Sequence, residues 1–63
     1  MKMNDKVYTP RFCTVTISQI FNSRDEAVKA GFAEPTFFDD PEWIVVGKSL
    51  DLCHMVFAAY PKQ

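Results

Sequence analysis

Apolar and polar positions alternate most clearly from Arg11 onward. Cys13, Val15 and Ile17 fall on one side of an extended chain, and Thr14, Thr16 and Ser18 on the other. Period-two alternation rich in β-branched residues predicts a strand with one wet face. The phase breaks at Gln19–Ile20–Phe21, where the strand is expected to end or bulge. The densest apolar run lies between Glu42 and Tyr60. Trp43 and Val45 take one face and Ile44 and Val46 the other, the pattern of a strand covered on both sides. Gly47 then reads as a bulge or twist point, and Lys48–Asp51 as a turn.

Leu52–Tyr60 supports two readings. As a strand it sets Cys53, Met55, Phe57 and Ala59 against His54, Val56, Ala58 and Tyr60. As a helix it has a Ser49 cap and a Leu52, Met55, Val56, Ala59 stripe. The strand is preferred, because a second helix would leave only two strands, a poor platform for a domain. Pro61 ends the element either way.

Ser23-Arg24-Asp25-Glu26 is a capping box, with the Ser23 hydroxyl set to accept from the Glu26 amide and the Glu26 carboxylate from the Ser23 amide. A short helix is expected to follow, stopped by Gly31 in the left-handed conformation. A helix this short cannot stand alone in water, so Val28 and Phe32 are expected to dock on the sheet. Residues 33–41 form a loop between prolines, with at least one of Phe37 and Phe38 anchored to the core. The expected architecture is α+β: a small β-α-β-β domain over residues 11–61, its three-stranded sheet carrying one short helix on one face. The alternative is β-α-β-α. Residues 1–10, with Pro10 biasing Thr9 toward extended geometry, form a flexible entry segment.

At 63 residues the chain forms one domain, and its core is marginal without help from a metal, disulfides or self-association. Seven basic and eight acidic side chains give a net charge of −1, with the basic residues scattered singly. That disfavours nucleic-acid binding, which calls for a clustered basic face. The first residues lack the apolar stretch of a secretory leader, and no run is long enough to span a bilayer. Cys13 and Cys53 are expected as reduced, buried thiols of a cytoplasmic protein.

Candidate chemistry is sparse. Cys53 and His54 are adjacent and point to opposite faces of a strand, which does not suit a zinc site. His54 has no spacing that singles out a nucleophile, so no catalytic residue, cofactor or metal is assigned. Glu34, Asp39, Asp40 and Glu42 gather in one loop without the glycine turn of a calcium loop. They read as a solvated acidic edge, with Phe37 or Phe38 as an anchor for a partner. The face away from the helix is expected to leave an apolar patch on Ile44, Val46, Val56 and Tyr60, to be covered by a second copy or by the entry segment. The expected interaction surface is therefore Phe37, Phe38, Asp39, Asp40, Ile44, Val46, Val56 and Tyr60. The expected function is a non-enzymatic protein-interaction or accessory module, possible as a homodimer. The alternatives are a nucleic-acid-related protein, acting as acidic mimic or weak binder, and a small enzyme using His54.

The segments SRDEAVKAGF, EPTFFDDPEW and GKSLDLCHMVFAAYPK resemble small uncharacterised reading frames on conjugative transposons and related mobile elements of gut Firmicutes. The resemblance runs from Phe12 onward. It implies an intracellular bacterial accessory protein and carries no activity or site residues.

Overall fold

The alternating segments do become strands, and two further strands join them. In a computed structural model, which describes residues 1–62, the order is β1 (Lys6–Thr9), β2 (Cys13–Ile20), α1 (Arg24–Lys29), β3 (Glu34–Pro35), β4 (Trp43–Ser49) and β5 (Met55–Pro61). These form one mixed sheet, β1-β2-β5-β4-β3, with β2 parallel to β5 and the other pairs antiparallel. The expected three-stranded α+β domain is thereby overturned. The chain is mostly β, a five-stranded half-barrel with one short helix, and the β-α-β-α alternative fails because the last element is a strand.

The extra strands have local causes. Residues expected as an entry segment supply β1, because Val7 faces Val15 across an antiparallel ladder. The pairing continues before β1, where the Ile17 amide donates to the Asp5 carbonyl at 2.8 Å. Pro10 sits in the turn between β1 and β2 and not in the ladder. The Thr9 hydroxyl, fully buried, accepts from the Phe12 amide (3.1 Å) and donates to the Cys13 carbonyl (3.0 Å), which holds that turn closed. β3 is two residues long, and its Pro35 is tolerated because β3 is an edge.

Curvature comes from β2. Its first half pairs with β1 and its second half with β5, and the register to β5 shifts between Ile17 and Gln19. Such a bulge bends a strand and increases its twist. The Ser18 hydroxyl donates to the Phe57 carbonyl at 2.8 Å across the irregularity. The bend brings the sheet's two edges together at one end. Arg11, in the β1–β2 turn, forms an ion pair with Glu34 and donates to the Pro35 carbonyl, both on β3.

Two apolar clusters follow from the two faces. Val15, Ile17, Val45, Phe57 and Ala59 fill the inside, joined by Met1, Val7, Phe12, Phe38 and Trp43. Burying a side chain such as Ile17, fully enclosed, stabilises by about 1.5–3 kcal/mol. Val46, Ala58 and Tyr60 lie outside with Ala27 and Phe32, flanked by Ile44 and Val56. The doubly apolar reading of Trp43–Val46 matches these clusters, and the strand expected over Leu52–Tyr60 holds from Met55 onward, whereas Leu52–His54 lie exposed in the connection before it.

The helix starts where its capping residue predicts, with the Ser23 hydroxyl accepting from the Glu26 amide, but the return bond from the Ser23 amide to the Glu26 carboxylate is not formed, so the cap is one-sided. Gly31 ends it at φ 93. The docking face differs from expectation. Ala27 and Phe32 pack on the sheet, whereas Val28 is exposed, because a six-residue helix presents only one narrow stripe. Gly47 also differs: it is a buried, regularly paired residue of β4 opposite Phe57, with no bulge.

Candidate functional site

Of the eight residues expected at an interaction surface, Phe37, Phe38, Ile44, Val46 and Tyr60 line one hollow of about 280 Å³. The hollow lies between the start of α1, which contributes Arg24, and the segment after β3. Its floor is the outer face of β4 and β5. A second hollow of about 330 Å³ shares Arg24, Ile44 and Tyr60 with it and continues past Ser23 to Lys62. Together they form a shallow groove along the rim of the sheet.

Local sequence explains the wall. The Thr36 side chain is fully buried, and its hydroxyl donates to the Val45 carbonyl at 2.6 Å. Phe38 packs on the inner cluster. With both neighbours anchored inward, Phe37 adopts a left-handed backbone (φ 59) and stands outward, 66% exposed. For a non-glycine residue that conformation costs roughly 1–2 kcal/mol. Strain of this kind persists only where the surroundings over-determine it.

The acidic residues separate into different roles. The Asp40 carboxylate accepts from the Glu42 amide (2.7 Å) and the Trp43 amide (3.0 Å), so it sets the entry to β4. Glu34 is engaged by Arg11. Asp39 is exposed and has no hydrogen-bond or ion-pair partner among the described residues. Val56, on the outer face of β5, does not line the hollow; it borders a separate cleft. Sequence reasoning missed Arg24 and Thr36. Arg24 gives no signal beyond following the cap, and Thr36 is an ordinary loop residue until its hydroxyl is seen to be enclosed.

The other cleft, about 710 Å³, opens where β2 leaves β5 to pair with β1, and the β4–β5 connection forms one wall. Asp51 organises that connection. Its carboxylate accepts from the amides of Cys53 and His54 and pairs with His54 Nδ1, all at 2.9 Å. The Cys53 amide, and after it the imidazole, hold the Asp51 carboxyl below the ordinary aspartate range. An imidazole held by a carboxylate is half of a general-base arrangement. The two serines on the cleft are committed elsewhere: Ser18 donates to the Phe57 carbonyl and Ser49 to that of Asp51. No His, Cys, Asp and Glu side chains gather to hold a metal ion among the described residues.

Both cysteines are free and exposed, which corrects the expectation of buried thiols. Cys13 takes a left-handed backbone (φ 60) at the hairpin tip, off the alternation of the strand. Cys53 precedes β5, in the connection held by Asp51. No helix among the described residues is long and apolar enough to cross a membrane. Compared with known protein families, curated proteins and solved structures, the chain matches none.

Proposed function

We propose that this chain is a small non-enzymatic interaction module, binding a protein partner through the groove beside Phe37. The observation that carries this reading is the outward Phe37, fixed by the inward anchors Thr36 and Phe38 at the edge of a hollow. A preorganised aromatic loses little freedom on binding, and such residues dominate interface energetics. The two hollows run on from one another as a shallow groove along the rim of the sheet, a shape that suits the side chains of a partner segment. Leu52, on the wider cleft, is more exposed, but the neighbours that hold its connection, Asp51 and Cys53, are themselves exposed and do not anchor in the core. Two free thiols suit a reducing, cytoplasmic setting, in line with the accessory role that the mobile-element resemblance implies.

Photo-crosslinking tests this reading. A benzophenone side chain at position 37, in the cell that makes the protein, is expected to give one dominant protein adduct. The same group at Tyr8 or Val28, which are also exposed, is expected to give none. Equal, diffuse labelling from all three positions would defeat the assignment.

A further inference from the structure

The groove and the segment beside it complement each other. The groove is floored by half-buried Ile44 and by the edges of the core residues Val46 and Tyr60, and has Arg24 at its border. Arg24 is exposed, and its guanidinium makes no ion pair or hydrogen bond among the described residues. Next to the groove stands the exposed Phe37, and two residues on comes the equally unengaged Asp39. One surface is thus aromatic and acidic, and its neighbour is apolar and basic. A basic partner would suit Asp39 but meet Arg24 and Lys62; an acidic one would suit Arg24 but meet Asp39.

We infer that the occupant of the groove is the Phe37–Asp39 segment of a second copy of this chain. Phe37 of each protomer enters the groove of the other, and Asp39 of each reaches Arg24 of the other. The pairing is isologous: every contact occurs twice about a two-fold axis and closes without leaving a free site. It also removes from water the aromatic ring that the strained backbone holds outward. This inference rests on the groove being an interaction surface.

Charge exchange in the full chain tests it. Sedimentation over a concentration series is expected to show a reversible dimer. Phe37→Ala is expected to weaken it about a thousandfold, roughly thirtyfold for the aromatic anchor lost at each of the two equivalent contacts. Arg24→Asp and Asp39→Arg each place like charges at both contacts and are expected to be monomeric. Both positions are exposed, and an acid in the first helical turn is favourable, so circular dichroism should show the fold intact. An equimolar mixture of the two variants restores opposite charges at both contacts, and is expected to return wild-type affinity. The double variant is expected to do the same alone. A wild-type chain that stays monomeric throughout, or a mixture that does not associate, overturns the inference. If the crosslinker at position 37 still captures another protein in that case, the interaction surface stands and only self-pairing falls. If it captures nothing, both fall.

Discussion

Replacing Gly47 by alanine tests how the inside of the half-barrel is filled. A Cβ built on Gly47 lies 2.9 Å from Met55 Cε and 3.0 Å from Phe57 Cε1, with Phe57 Cδ1 at 3.3 Å. The methionine end can swing aside. The Phe57 ring cannot move freely, because it belongs to the inner cluster and packs on Phe12 with centroids 5.3 Å apart. Overpacking of this kind costs about 1–3 kcal/mol. Alanine is favoured over glycine within a strand by about 0.5–1 kcal/mol, which offsets part of that. The net expectation is a loss of about 1–2 kcal/mol. For a domain this small the melting midpoint should fall by roughly 5–15 °C. Urea and thermal unfolding, followed by circular dichroism, measure it. Phe57→Leu trims the ring and supplies the second arm of a cycle. The double variant should be less destabilised than the sum of the singles by about 1 kcal/mol. A Gly47→Ala protein as stable as wild type would refute the close approach. Gly47 would then serve the strand's twist, as its sequence context suggests.

Three further outcomes are expected. Thr36→Val keeps the shape but leaves the buried Val45 carbonyl without its donor, so stability should fall by about 1–2 kcal/mol; an unchanged urea midpoint would mean water reaches that carbonyl. Cys13→Gly should be at least as stable as wild type and Cys13→Val less stable by about 1 kcal/mol, because φ is 60 there; equal midpoints would remove the left-handed assignment. Asp51 has its folded pKa lowered, so its stabilising effect on the β4–β5 connection is present above the ordinary value of about 4 and lost as pH falls through the lower folded value. The protection of the Cys53 and His54 amides, taken relative to the intrinsic exchange rate at each pH, should therefore be present at neutral pH and fall in acid, and Asp51→Ala should lack it throughout; protection that ignores both pH and the substitution would contradict the hydrogen bonds.

The strands that bury both faces were legible in the sequence. Trp43–Val46 shows it in its doubled apolar pattern, whereas Leu52–Tyr60 fits a helical stripe as well, and the need for a third strand decided it. The cap at Ser23 and the stop at Gly31 were legible too, since each is a local device. What escaped was set by distant contacts. β1 carries only one half-buried apolar residue, Val7, and its identity as a strand depends on the partner β2 supplies. β3 has no pattern at all and exists because β4 offers it an edge. The expected bare sheet face was misjudged for the same reason: curvature lets Met1, Val7 and Phe12 close the inside, while α1 covers the outside. Ile44, Val46, Val56 and Tyr60, expected on the face away from the helix, lie instead on the face that α1 packs against, with Val46 and Tyr60 in the core. Arg24 stayed hidden, since nothing local distinguishes a basic residue after a cap.

The sheet order has a consequence for how the protein is made. β5 occupies the middle of the sheet, with β2 on one side and β4 on the other, yet it is translated after every other strand. While the ribosome is still producing it, the chain can offer only the β1–β2 hairpin and the β3–β4 pair. Two-stranded units of this kind are marginal in water. Neither has the neighbour that would join it to the other, and the parallel β2–β5 contact spans most of the sequence. Cooperative folding therefore waits for the segment around Phe57–Tyr60 to emerge. Until then the apolar residues of both hairpins stay accessible to chaperones and proteases.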